Sequence, residues 1–244
     1  MMTILLSNDD GFRAPGIRTL KEYLNNYATT IVAPNKNVSA CSSSLSVTKN
    51  LTLKKHNISE FSINGTSADS VHIATRGFLK NRIDQVISGI NFGSNMGDDV
   101  VYSGTVAGAI EGRFCKYTPI AISIANRQPK YLNDLKQKLD LFLPKFIGVK
   151  IKNSILNINI PDIEFNKIKG VRITILGSRR ISKNAKKIFK NKKSFWCIGD
   201  VGPSISTNKE SDFYAIRQKY ISITPINIDM TDHKIIKSLK KYEK

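Results

Sequence analysis

Through the first 150 residues, short apolar blocks alternate with polar, glycine-bearing loops, and the blocks switch between strand-like and helix-like spacing. Thr3–Ser7 is an apolar run stopped by Asn-Asp-Asp-Gly, which predicts a buried strand running into a loop. From Pro15 to Tyr27, Ile17, Leu20 and Leu24 recur at helical spacing, and Pro15 suits a first helical turn. Strands are expected at Thr29–Ala33, ended by Pro34, and at Phe61–Asn64, closed by Gly65. Ala68–Phe78 reads as a helix, and Gln85–Ile90 as a buried strand that opens into the glycine-rich Asn91–Asp99. Val106–Phe114 follows as a helix, Pro119–Ile124 as a strand, and Tyr131–Phe146 as an amphipathic helix with Leu132, Leu135, Leu139 and Phe142 on one face. Strands spaced by helices imply a parallel, doubly wound α/β sheet.

The second half changes character. Strands are expected at Ser154–Ile160, Gly170–Leu176, Phe195–Ile198 and Tyr220–Ile223, and helical spacing returns only at Ile235, Ile236 and Leu239. These segments should complete the sheet of a single domain spanning 1–244. Residues from about 178 to 244 would form a C-terminal arm and tail that embraces a partner subunit. The lysine-rich stretch Lys183–Lys193 is expected as an exposed hairpin.

Composition narrows the class. The chain has 244 residues, 41% hydrophobic and 23% charged, which is globular usage and excludes a disordered chain or a coiled coil. No apolar run approaches the ~20 residues that span a bilayer, and the short apolar start lacks the basic flank of a signal peptide. Cys41, Cys115 and Cys197 are odd in number and contain no C-x-x-C, so neither a disulfide framework nor a zinc finger is expected. A cytoplasmic setting without a membrane partner follows as the expectation. The net charge is +19, and the excess is uneven: residues 1–128 carry 13 basic and 9 acidic side chains, the remainder 25 and 10. Lysine dominates that surplus. A solvated basic surface is the plainer reading, and a surface that collects polyphosphate or nucleic acid is the other.

In an open α/β sheet, ligands bind beyond the carboxyl ends of the strands. After the first strand stand Asn8, Asp9 and Asp10. After the second comes the polar loop Asn35–Ser44 with Ser39, and after Ile90 stand Asn91, Asn95, Asp98 and Asp99. Carboxylates, amide carbonyls and a hydroxyl would thus converge without a thiolate or imidazole, a donor set suited to Mg²⁺ or Mn²⁺ rather than Zn²⁺. Tyr102-Ser103-Gly104-Thr105 opens a helix, where free backbone N–H groups and hydroxyls make a phosphate seat. No G-x-x-x-x-G-K-[ST] or G-x-G-x-x-G is present, which excludes a P-loop and weighs against a dinucleotide dehydrogenase. A hard metal beside a phosphate seat points to metal-assisted hydrolysis of a phosphate ester.

Several stretches carry a resemblance to a known family. Ile4-Leu-Leu-Ser-Asn-Asp-Asp-Gly-Phe-Arg-Ala-Pro-Gly-Ile17 resembles the opening of the SurE (survival protein E) family of 5'/3'-nucleotidases. The likeness continues in Val32-Ala-Pro-Asn-Lys-Asn, Ser39 and Gly65-Thr-Ser-Ala-Asp-Ser70. It is strongest in Ile87–Val100 and Tyr102-Ser-Gly-Thr-Val106, and returns in Leu156–Pro161, Ser211-Asp-Phe213 and Tyr220–Pro225. The resemblance implies a Rossmann-like phosphomonoesterase for nucleoside 5'- and 3'-monophosphates, in a family of which some members also trim short polyphosphate. It implies one divalent ion per subunit, Mg²⁺ or Mn²⁺, on Asp9, Asp10, Ser39 and Asn91, with Asp9 and Asp10 the catalytic pair. Phosphate contacts would fall to Asn95, Ser103, Gly104 and Thr105, and C-terminal segments would exchange within a homodimer or homotetramer. Two departures stand out: Ser67 replaces a usual proline, and lysines occupy Ile188–Lys193, where the family carries Asp-Pro-Arg-Gly.

Other residues are assigned bland roles. Asp98 and Asp99 should organise the loop before the helix, and Asp69 a helix start. His56, His72 and His233 have no partners at triad or ligand spacing, and no G-x-S-x-G elbow exists. His72 is expected to pack on its helix and Trp196 within the arm. The competing function is a basic nucleic-acid or polyphosphate-binding protein with a vestigial phosphatase site.

Overall fold

Leu5 points to the opposite face of its strand from Ile4 and Leu6, yet all three are fully buried, so both faces of the sheet must be covered. The computed structural model describes every residue except Asn81, Asn191, Lys192, Asp200, Ser206 and Lys244, with Ala40 described by its backbone alone. In chain order the first half holds β1 (Thr3–Ser7), α1 (Pro15–Tyr23), β2 (Ala28–Pro34), β3 (Leu53–Asn57), β4 (Glu60–Ile63), α2 (Ser67–His72), β5 (Gln85–Phe92), α3 (Gly104–Glu111) and β6 (Ile120–Ile124). Then come α4 (Leu135–Asp140), α5 (Leu143–Phe146), β7 (Ser154–Ile160), β8 (Val171–Ile173), β9 (Ser178–Arg179), β10 (Lys186–Lys190) and β11 (Lys193–Cys197). The chain closes with β12 (Ser204–Ile205), α6 (Asp212–Arg217), β13 (Ile221–Asn227) and α7 (Ile236–Leu239).

Nine strands form one sheet in the order β3-β4-β2-β1-β5-β6-β7-β13-β8. The strands from β4 to β7 in that order run parallel, while β3 and β13 pair antiparallel with β4 and β7. The expected mostly parallel α/β sheet is therefore the observed one. On one face Ile4 and Leu6 pack with Ile17 and Leu20 of α1 and with Leu135, Leu139 and Phe142. On the other, Leu5, Val32 and Val86 pack with Val71 and Ala74, and Val106 and Ala109 of α3 pack over Ala121 and Ile155. Among the described residues no helix is long and apolar enough to cross a membrane.

Three elements differ from the pattern-based expectation. The first helix ends at Tyr23, one residue before the Asn-rich turn that closes on Leu24. The Tyr131–Phe146 helix is two helices, broken where Pro144 enters the first turn of α5, because proline offers no N–H and crowds the preceding turn. Beyond α2, residues Ile73–Phe78 wind as a wider turn that Gly77 breaks with non-helical backbone. The pattern also missed β3, a polar edge strand, and the six-residue α6, whose start is capped by Ser211.

The lysine-rich segment does form a hairpin, β10–β11, and every one of its described residues is exposed. Asn191 and Lys192, inside the stretch where the sequence departs from the family, lie outside the described residues. Trp196 is exposed on this hairpin rather than packed, and His72 is exposed on α2 and pairs with Glu111. Asp69 completes a capping box: its carboxylate accepts the Thr66 N–H at 2.8 Å while its own N–H reaches the Thr66 hydroxyl at 3.1 Å.

Candidate active site

The chain leaves β1 for β2 on one side and later returns to β5 on the other, so the loops beyond β1 and β5 diverge. That reversal opens a crevice at the carboxyl edge of the sheet. A cavity of about 1140 Å³ occupies it, and Asp9, Asp10, Ser39, Asn91, Asn95, Ser103 and Gly104 all line it. Seven of the eight residues singled out in the sequence are thus brought together; Thr105 lies just behind the wall.

Asn8 builds the tip that carries both acids. Its side-chain amide donates to the Gly11 carbonyl at 3.0 Å, and its amide oxygen accepts the Gly11 N–H at 3.2 Å. Gly11 takes φ +106°, a backbone region open to glycine. The Val38 N–H reaches the Asp9 carbonyl at 2.8 Å, which pins the second loop to the first. Asp9 is buried, and its Oδ1 accepts the Thr105 hydroxyl at 2.6 Å. The Asp10 carboxylate accepts the Phe92 N–H, and the Ser39 hydroxyl lies 3.2 Å from its Oδ1. Asn91, at the end of β5, donates its side-chain amide to the Gly93 carbonyl at 2.7 Å.

Burial pushes the Asp9 carboxyl above the usual carboxylate range; the Thr105 hydrogen bond opposes this and the Asp10 charge adds to it. Burial also raises Asp10, against its bonds from Phe92 and Ser39. Among the described residues neither carboxylate forms an ion pair with a Lys, Arg or His. Two adjacent, partly desolvated acids with a hydroxyl and an amide beside them, and no basic partner, fit a hard divalent cation. Among the described residues no cluster of three or more His, Cys, Asp or Glu competes for that role.

The other wall is the start of α3. The Ser103 hydroxyl accepts the Val106 N–H at 3.1 Å and caps the helix. The N–H groups of Gly104 and Thr105 fall in the first turn, where no intrahelical acceptor exists. Gly104 is confined by contact: a Cβ there would lie 2.8 Å from Asp9 Oδ2 and 2.9 Å from Asp9 Cβ. Asn95 is tied from beneath. Asn159 Oδ1 accepts its N–H at 2.9 Å, Asn157 and Asn159 donate to its carbonyl, and its side-chain amide lies 2.8 Å from the Ser123 hydroxyl.

Asp98 and Asp99 lie in the short 3₁₀ turn Gly97–Tyr102 that leads into α3. Asp98 Oδ2 accepts the Arg179 N–H at 2.7 Å, and the Arg179 guanidinium grips Asp99 through Nε and Nη2, the latter at 2.6 Å. Asp212, fully buried, accepts the N–H groups of Gly97 at 2.7 Å and Gly177 at 3.0 Å. This turn is therefore anchored on the second half of the chain. Pattern reading found neither Arg179, Asp212 nor the Ser123–Asn157–Asn159 support. A signal existed for the latter: asparagines at alternate positions of an otherwise apolar buried strand.

A smaller cleft, about 530 Å³, lies near the start of β6 and β7, where Arg113, Lys116, Lys150 and Lys152 surround it. Its acid is Asp229, which pairs with His233 at 2.7 Å. Among its described lining residues Asp229 is the one carboxylate against four cationic side chains, a balance that disfavours a divalent cation.

Residues 4–183 match the family model described as Survival protein SurE. The chain is 42% identical over 245 residues to a protein named 5'-nucleotidase SurE from Histophilus somni, covering 99% of this chain and 98% of that one. It is 43% identical over 244 residues to the protein of the same name from Actinobacillus succinogenes, again covering 99% and 98%. A crystal structure of SurE protein from Aquifex aeolicus superposes with a TM-score of 0.87 at 34% identity, covering 99% of this chain and 100% of that one.

Proposed function

The chain belongs to the SurE family, and from that premise we propose that it is a 5'-nucleotidase, a hydrolase that releases phosphate from nucleoside monophosphates. The observation that carries the reading is the meeting of Asp9 and Asp10 with the start of α3 in one crevice.

In this reading a magnesium or manganese ion held by Asp9, Asp10, Ser39 and Asn91 would supply Lewis acidity to the reacting phosphoryl group and acidify water there. The protein's own residues do the rest. The N–H groups of Gly104 and Thr105 and the Ser103 hydroxyl seat the phosphoryl oxygens, with the helix dipole favouring their charge. Asn95 flanks that seat, its main chain fixed by Asn157 and Asn159. Thr105 orients Asp9 through its hydroxyl and contributes to the seat only through its backbone. The net reaction breaks the phosphorus–ester oxygen bond, forms a bond from phosphorus to water oxygen, and returns a proton to the nucleoside hydroxyl.

The same reading extends to 3'-monophosphates and short polyphosphate, since the seat is built for a phosphoryl group and the cavity is open. It also extends to a homodimer or homotetramer built through residues from about 178 to 244. Support for that assembly is the β10–β11 hairpin, which leaves Phe189, Phe195 and Trp196 exposed. A cytoplasmic setting completes the reading, supported by three cysteines that are all free thiols. Nucleic acid is a lesser partner: the strongly basic hairpin favours it, but the cavity chemistry favours a small phosphate ester.

The test is a phosphate-release assay over nucleoside 5'- and 3'-monophosphates and short polyphosphate with added Mn²⁺ or Mg²⁺. Release from at least the 5'-monophosphates supports the reading. Salt-sensitive binding of single-stranded nucleic acid without any release would favour the binding-protein alternative.

A further inference from the structure

We propose that Tyr102 is the specificity-determining residue of this site, a stacking platform for the flat base of the nucleotide. The inference rests on the nucleotidase reading above and adds where the non-reacting part of the substrate is held.

Tyr102 lines the same cavity as the two acids and directly precedes Ser103, the cap of the phosphate-seating helix. It is 69% exposed, an unusual state for a large aromatic at the wall of a cavity. Among the described residues its ring has no aromatic or cation partner and its hydroxyl forms no hydrogen bond, so neither interaction competes with a stacking ligand. The backbone beneath it is fixed. Gly97, Asp98 and Asp99 of the same 3₁₀ turn are held by Asp212 and Arg179, and a Cβ on Gly97 would lie 2.5 Å from the Phe213 ring. The anchored turn fixes where the ring's backbone sits beside the phosphate seat, so stacking orders only the ring itself.

The cavity wall also mixes two chemistries. Asp9, Asp10, Ser39 and Asn91 give its wall carboxylate, hydroxyl and amide oxygens; Tyr102 and Val201 give it an aromatic ring and an apolar side chain, beside an Arg179 whose charge Asp99 already meets. Phe92, the other aromatic on the wall, is packed against the core and leaves Tyr102 as the aromatic offered to solvent there. A nucleoside monophosphate has the matching polarity, a phosphate at one end and a π-face at the other. Base–aromatic stacking is tolerant of base identity, because every base has a π-face. The platform therefore separates nucleotides from base-free sugar phosphates rather than one base from another.

The experiment compares kcat/KM for nucleoside 5'-monophosphates with kcat/KM for ribose 5-phosphate, whose phosphate leaves from the same kind of primary 5-hydroxyl and which has no base. Wild-type protein should favour the nucleotides, and Tyr102→Ala should shrink that ratio on the order of ten-fold, mainly through KM. Tyr102→Phe and Tyr102→Trp should keep it. A wild-type ratio near one overturns the platform while leaving the nucleotidase reading intact. So does a Tyr102→Ala variant that loses both substrates in equal proportion, the mark of a structural role. Wild-type protein inactive on both substrates overturns the nucleotidase reading, and the platform with it.

Discussion

The Thr105 hydroxyl donates to Asp9 Oδ1 across 2.6 Å, joining the first turn of α3 to the acid after the first strand. The two residues are 96 positions apart, and both are buried. The bond ties the proposed cation side of the crevice directly to its proposed anion side. Thr105→Val removes it while keeping the shape. A hydrogen bond to a charged group contributes about 2 kcal/mol, so kcat/KM for nucleotides should fall roughly thirty-fold. Thr105→Ser should restore most of it. Steady-state kinetics on the three proteins checks this.

Gly104 is the narrowest point of the same junction. Its missing side chain lets the helix backbone approach Asp9, and a methyl there would lie 2.8 Å from Asp9 Oδ2. Gly104→Ala should fold, since alanine suits a helix start, yet displace the Asp9 carboxylate. Loss on the order of ten-fold or more in kcat is expected from such a misplacement, with a thermal unfolding midpoint close to wild type. Kinetics paired with thermal melts separates the two effects.

The sequence made the parallel core legible because its strands are apolar, bounded by turn residues and separated by helical repeats. Asp9, Asp10 and Asn91 were legible for the same reason: each follows such a strand. What stayed hidden was support arriving from far along the chain. Arg179 and Asp212 hold the turn before α3 from 80 and 115 positions away, a relation no local period encodes. Thr105 was readable as part of a helix start but not as the partner of Asp9, since that depends on how β1 and α3 pack. The break at Pro144 is a local signal that the amphipathic stripe of leucines outweighed.

Lys138 is a buried cation with an acid partner. Its Nζ lies 2.5 Å from Asp134 Oδ1 and donates to the Tyr131 carbonyl at 2.9 Å, and the residue is 1% exposed. Asp134→Ala leaves that charge unpaired and should cost about 3 kcal/mol of stability. Lys138→Met, which removes the charge and keeps the volume, should cost far less. Urea denaturation of both variants checks the order.

Glu60 couples β4 to α1. Burial opposes its charge, but Lys21 at 2.5 Å and Arg18 at 2.6 Å more than offset that and hold its carboxyl down at about 2. The folded value lies below the unfolded one, so this stabilisation is complete above pH ~4.5 and is lost as pH falls toward 2. Glu60→Gln should be less stable than wild type at neutral pH, and the difference should close across that acidic window. Denaturation midpoints measured from pH 6 to pH 2 give the result.

In the proposed site Asp9 and Asp10 hold one divalent ion next to the start of α3. Manganese binding followed by the paramagnetic resonance signal of the free ion tests it most directly. One ion per wild-type chain is expected, with binding weakened at least ten-fold in Asp9→Asn and Asp10→Asn while their circular dichroism spectra match wild type. Wild-type stoichiometry and affinity retained in both variants would contradict it.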